Sequence, residues 1–228
     1  MRLITTICML ALLVVTGCTT LKNQYDKYFG GEEIGTAQEL AWDGMDAYED
    51  GDYSKAIEKF QNLKDYYPFS KYAILAELKI ADAHYQRDEY EDAIFAYEDF
   101  EQLHPRNEAI PYVIYQIGRC YYDQIDTPDR DQTPAQKALE TFQRLIKQFP
   151  RDQYATRAAG HIKTAQKSLA GHAFGVGVFY YKTKHYKAAL NRFMSIVSDY
   201  PDVGYHRNAL AYIAKCEASI AKEESEQE

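Results

Sequence analysis

Gly44-Met-Asp-Ala-Tyr48-Glu-Asp-Gly51-Asp-Tyr53-Ser-Lys-Ala56-Ile-Glu-Lys-Phe60-Gln-Asn-Leu63, closed by Tyr67-Pro68, is the phrase from which the rest of the chain is read. It recurs 37 residues later, where Ala81, Tyr85, Tyr90, Ala93, Tyr97, Phe100 and Pro105 replace Gly44, Tyr48, Tyr53, Ala56, Phe60, Leu63 and Pro68. A third copy reads Gly118, Tyr122, Ala138, Phe142, Leu145 and Pro150, with eight extra residues between its halves. A fourth reads Gly177, Tyr181, Tyr186, Ala189, Phe193, Ile196 and Pro201. Self-similarity at a period in the mid-thirties marks a helical repeat array.

A small residue, an aromatic, an Ala, an aromatic, an apolar residue and a closing Pro at these offsets form the tetratricopeptide (TPR) pattern. The expected fold is all-α: a solenoid of about five TPR-like helix pairs, about ten helices, after a lipoprotein signal peptide. The spacing predicts helices at 33–50, 53–66, 70–87, 90–103, 108–124, 134–148, 152–169, 171–183, 185–199 and 204–220. Each closing Pro stands where a helix must stop. Within a unit the small residue and the Ala let two helices approach, and the aromatic fills the seam. No unit buries that face alone, so neighbours must stack. After Pro150 the register slips, because Ala189 lies 51 residues past Ala138. That leaves room for an extra helix and suggests a bend between an amino half at 33–150 and a carboxyl half at 151–220. Residues 221–228 are acidic and read as a fraying tail.

Residues 1–17 read as a secretory signal: Arg2 precedes an apolar stretch too short for a membrane span. Val15-Thr16-Gly17-Cys18 resembles the bacterial lipobox. That resemblance implies cleavage before Cys18, S-diacylglycerol and an N-palmitoyl group on it, and a tether over 18–32. Such an anchor, at about 0.8 kcal/mol per buried CH₂, holds firmly. Thr19 rather than Asp after the Cys points to the periplasmic face of the cell outer membrane. The mature balance, with Arg2 removed, is 25 Lys+Arg against 34 Asp+Glu, about −9. That charge argues against a nucleic-acid partner and against electrostatic attachment to anionic lipid. Cys8 leaves with the signal. Cys120 and Cys216 occupy one repeat slot two units apart, too far for a disulfide, and read as unpaired packing residues.

The six histidines have no metal-ligand spacing, and no catalytic motif or cofactor site is evident. The chain reads as a non-enzyme. Gly171, Gly175 and Gly177 read as close helix packing rather than a phosphate loop. The register instead draws a concave face. Leu78, Tyr115, Phe174 and Ala211 form one ladder; Met45, Asp82, Arg119, Val178 and Lys215 another; Tyr48, Tyr85, Tyr122 and Tyr181 a third. Tyr48, Tyr85, Tyr115, Tyr122, Asp82 and Arg119 are thus candidates for a peptide groove, tyrosine offering a rigid apolar body with a hydroxyl. The alternative is that the tyrosines pack between units. The insert from Tyr122 to Pro134 is either an exposed loop before a helix capped by Thr133-Pro134 or a partner-facing loop.

Lipobox, short tether, TPR-like units and the Arg130-Asp-Gln-Thr-Pro134 loop together resemble the BamD family of outer-membrane assembly lipoproteins. Tyr67-Pro-Phe-Ser-Lys-Tyr72, Ile110-Pro-Tyr112 and Asn191-Arg192 add to the resemblance. It implies a subunit of the β-barrel assembly (Bam) complex that works beside other Bam lipoproteins. Such a subunit binds the POTRA region of the BamA-like barrel protein through its carboxyl-half repeats. It receives the C-terminal strands of unfolded outer-membrane clients in its amino half. By local match Arg192 is the residue expected to pair with an acidic POTRA side chain, the alternative being a solvated helix residue. A TPR pilotin for a secretin or pilus, or a lipoprotein activator of a peptidoglycan synthase, would share the scaffold with a different partner.

Overall fold

Each repeat ends with a proline, and the first opens on a full cap. Thr36 opens the first described helix with a reciprocal box: its hydroxyl accepts from Glu39 N (3.3 Å) while Glu39 Oε2 accepts from Thr36 N (2.7 Å). The computed structural model describes residues 35–226. Within them lie nine α-helices: α1 (Ala37–Glu49), α2 (Tyr53–Tyr66), α3 (Ala73–Gln86), α4 (Tyr90–Leu103), α5 (Ile110–Asp123), α6 (Thr133–Gln148), α7 (Gln153–Lys182), α8 (Tyr186–Asp199) and α9 (His206–Ser225). Each helix packs on the next, and α5 also meets α7. The expected signal, Cys18 and the expected tether lie outside the described residues.

The turns within units are as repetitive as the helices. Gly51 (φ 79°), Asp88 (φ 59°) and Lys184 (φ 62°) hold left-handed backbone at one register position. The following amide closes the turn each time: Asp52 N to Ala47 O (2.9 Å), Glu89 N to His84 O (3.1 Å) and His185 N to Tyr180 O (2.9 Å). This is the bond that satisfies the orphan carbonyls at a helix end. Pro68, Pro105, Pro150 and Pro201 each stand two residues past a helix, where the missing N–H stops further winding.

Phe60, Tyr97, Phe142 and Phe193 fill the seams and are wholly buried, as are Ala56, Ala93, Ala138 and Ala189 one turn earlier on the same helices. The small residue is a steric demand. A Cβ on Gly44 would sit 2.6 Å from Phe60 Cε1, and one on Gly177 would sit 2.8 Å from Phe193 Cε1. Cys120 and Cys216 are free and buried in their shared slot, and burial pushes the Cys120 thiol up to about 12.

The expected break at 170 is absent. The segments 152–169 and 171–183 form one 30-residue helix, α7, about 45 Å long. No proline interrupts it, and one interior glycine weakens a helix by about 1 kcal/mol without breaking it. Its first half lies against α5 and α6, burying Ala155, Ala158 and Ala165; its second half serves as the first helix of the fourth unit with α8. α9 stands as the first helix of a further unit, so four complete pairs are present among the described residues. α9 also runs to Ser225, so the fraying expected from 221 does not begin there.

Two smaller expectations are corrected. Thr133 does not cap α6 but is its first residue; Asp131 accepts from its N–H (3.0 Å) and its hydroxyl (2.9 Å). The insert is not a free loop. His172 Nδ1 donates to Pro128 O (2.7 Å) and Ser168 Oγ donates to Gln132 Oε1 (2.7 Å), tying it across the middle of α7.

Candidate functional site: the tyrosine face

The first helices of successive units bring the register-predicted residues together in two tiers. The deeper tier centres on Asp82 of α3, which is 4% exposed. Its Oδ1 accepts from the hydroxyls of Tyr97 and Tyr112, both at 2.7 Å, and its Oδ2 pairs with Lys79 Nζ at 2.8 Å. Burial, then the Asp82 charge, drives both phenols well above their ordinary range. Lys79 also lies 4.6 Å from the ring centroid of Tyr48, whose hydroxyl is pushed up to about 12 by burial first and by Asp82 second. Asp82 therefore joins α3, α4 and α5, and it faces inward rather than into a groove.

The outer tier is Tyr85, Arg119, Tyr122 and Asp123. Tyr85 Oη donates to Asp123 Oδ2 (2.5 Å) and accepts from Arg119 Nη2 (2.9 Å); Arg119 closes the triangle on Asp123 at 3.0 Å. Tyr48 and Tyr85 each meet the next tyrosine of their own unit, Tyr53 and Tyr90, edge to face. Tyr122 lies against Phe142 and His161. Tyr115 is 7% exposed and packs on Phe142, Tyr154 and His161, so it belongs to the core. Of the six candidates, Tyr48, Tyr85, Arg119 and Tyr122 keep partial exposure, while Asp82 and Tyr115 are closed off by packing.

Sequence reasoning missed Lys79, Tyr112, Asp123 and His161. Asp123 carried a signal, standing four residues after Arg119. His161 carried none, because the first half of α7 has no register of its own. Its Nε2 lies 3.1 Å from Tyr115 Oη. Burial, then the Arg119 charge, holds its imidazole below the usual range, with Asp123 opposing. The unfolded chain thus binds this proton more readily. Stability should be lost as pH falls below about 6.5, the unfolded value. Urea titrations between pH 7 and 5 are expected to show a shallower loss for His161→Gln than for the native chain, and equal slopes would overturn the assignment.

Residues 35–228 match the family described as YfiO, outer membrane lipoprotein. The chain belongs to the YfiO family. Among curated relatives, the outer membrane protein assembly factor BamD of Caulobacter vibrioides is 27% identical over 181 residues, 79% of this chain and 59% of that protein. BamD of Neisseria meningitidis serogroup A is 26% identical over 220 residues, 92% of this chain and 82% of that protein. The resemblance to BamD drawn from the sequence is borne out. Among solved structures, a complex of the TPR2AB domain of yeast Sti1 aligns at a TM-score of 0.46 and 18% identity, covering 81% of this chain and 70% of that one.

In this YfiO chain Arg192 is exposed on α8, and none of the ion pairs among the described residues uses it. His84, Glu89 and Asp92 place ligand atoms within 4.8 Å of one another. Arg87 already pairs with the second Glu89 oxygen at 2.7 Å, and the group closes the α3–α4 turn. Among the described residues no helix is long and apolar enough to cross a membrane.

Proposed function

We propose that the chain is a subunit of the β-barrel assembly complex, assisting assembly and insertion of outer-membrane proteins from the periplasmic face of the outer membrane. The observation that carries this reading is the YfiO match over 35–228, joined to relatives named as outer membrane protein assembly factors. The lipid on Cys18 holds the array at the membrane and confines its search to a thin shell near the barrel protein. The protein works by binding and not by catalysis.

Two contacts divide the work. The partly exposed Tyr48, Tyr85 and Tyr122 accept client C-terminal peptides, their rings offering apolar area and their hydroxyls polar register. The Tyr85–Arg119–Asp123 triangle fixes the Tyr85 ring in advance, and Tyr53 and Phe142 pack against Tyr48 and Tyr122, so little order remains to be imposed on binding. Arg192, exposed and uncommitted, pairs with a carboxylate of the POTRA region. Truncating one side of such a pair costs about 2–5 kcal/mol, about thirtyfold or more in affinity.

The test is co-purification of the tagged lipoprotein from mildly solubilised envelopes. A stoichiometric POTRA-bearing barrel protein is expected in the native sample and should be lost with Arg192→Glu. The same preparations with Tyr85 and Tyr122 both changed to Ala should crosslink less to barrel C-terminal peptides while keeping native helicity. A secretin or a peptidoglycan synthase in place of the barrel protein would overturn the reading.

A further inference from the structure

Where the tied insert crosses α7, a cavity of about 490 Å³ opens between Pro128 and Asp129 on one side and the face of α7 from Gly171 to Tyr180 on the other. That volume lies within the range of about 300–1,000 Å³ typical of ligand-binding clefts. Its walls are mostly apolar, and Phe179 stands at it 62% exposed.

The floor is where the fold and the sequence disagree. Gly171 is required: a Cβ there would lie 2.6 Å from Tyr205 Oη and 3.1 Å from Pro128 Cγ. Gly177 is required by Phe193. Gly175 is not, because a Cβ there meets nothing within 4 Å. The expectation that all three glycines serve close helix packing therefore fails at Gly175. An interior helical glycine costs about 1 kcal/mol relative to Ala, and nothing inside the fold offsets that cost. What Gly175 does is keep the cavity floor at the level of the backbone.

The polar groups of the cavity state what the occupant brings. A carbonyl only accepts, so His172 Nδ1 donates to Pro128 O. Asp129 is a carboxylate, held below its ordinary range mainly by the Thr127 hydroxyl. Asp126 and Asp131 on the same loop add negative charge against Arg130 alone. Apolar walls with acceptors and net negative charge at one side fit an apolar side chain accompanied by cationic donors.

We propose that this cavity is a docking site for a segment of another protein that inserts an aromatic side chain flanked by Lys or Arg. The site is separate from the tyrosine face and from Arg192, and it stands whether or not the assembly role does.

The probe is a fluorescein-labelled peptide, Gly-Lys-Phe-Arg-Gly-Ser, titrated by anisotropy against the full mature chain in detergent. Its controls are Gly-Glu-Phe-Glu-Gly-Ser and Gly-Lys-Ser-Arg-Gly-Ser. Only the first should bind saturably. Gly175→Leu fills the cavity from below and should weaken binding at least about tenfold, and Asp129→Asn should weaken it severalfold. Gly160→Leu is the control: that glycine is on the same helix, equally open, and outside the cavity. It should leave binding unchanged, while both leucines raise thermal stability, which shows that each variant folds. No saturable binding of the Lys-Phe-Arg peptide would overturn the proposal, as would equal binding of all three peptides or undiminished binding by Gly175→Leu. Self-association abolished by Gly175→Leu would put a second copy of the chain in the cavity and overturn the assignment to another protein.

Discussion

Asp82→Ala is expected to destabilise the array by about 3–5 kcal/mol, the range for removing one member of a buried charged group. Three partners lose their acceptor at once. Tyr97 has no exposed surface and retains only a long contact from Gln116 Nε2 at 3.4 Å. Tyr112 is left facing the same void, and Lys79 loses its counter-charge. A buried donor without a partner costs about 1–3 kcal/mol, so the tyrosines alone account for most of the effect. The loss should also change the shape of unfolding. Tyr97 belongs to the second unit and Tyr112 to the third, and a repeat array coheres through such interfaces. A lower urea m-value or a second transition is therefore expected along with the lower midpoint. Asp82→Leu combined with Tyr97→Phe and Tyr112→Phe should recover much of the stability, because the orphaned hydroxyls leave together. A destabilisation by Asp82→Ala below about 1 kcal/mol would mean that the desolvation of Asp82 already cancels its hydrogen bonds, and that apolar packing alone holds units two and three together.

The seams of the fold were legible because a repeat prints its packing rule several times. Phe60, Tyr97, Phe142 and Phe193 could be aligned with one another, and the rule held at all four. Where the rule appears once, the sequence was silent. The fused α7 was read as two helices because the slip after Pro150 leaves room for an extra helix ahead of the fourth unit. Only the contact of Gly171 with Tyr205 and Pro128 shows that the glycine marks a crossing and not a break. The tyrosine face was legible as a set of positions but not as a set of depths. Register alone places Asp82, Tyr85 and Tyr115 on equivalent inner faces, yet partners from other units bury Asp82 and Tyr115 and leave Tyr85 half open. Those partners sit 15 to 39 residues away in sequence, beyond the reach of helical periodicity.

Gly118→Leu is the substitution expected to damage the seam most. A Cβ at Gly118 would fall on the edge of the Phe142 ring, closer than real contacts allow, and the ring has no free volume to retreat into because it is wholly buried. Unit two shows what the slot can bear: Ala81 faces Tyr97 there, both fully buried. Gly118→Ala should accordingly cost about 1 kcal/mol, while a branched four-carbon side chain should cost about 3 kcal/mol or more, lowering Tm by about 6–12 °C. Gly175→Leu on α7 makes the identical change in residue and should move Tm the other way, since its Cβ meets nothing. The two signs separate packing from propensity. If helix propensity governed both sites, both leucines would stabilise; if every helical glycine in the array were a packing residue, both would destabilise. A double variant, Gly118→Leu with Phe142→Ala, returns volume to the seam and should be less unstable than the sum of its parts, the coupling expected of side chains in direct contact. Strict additivity there would place the damage of Gly118→Leu somewhere other than the Phe142 ring.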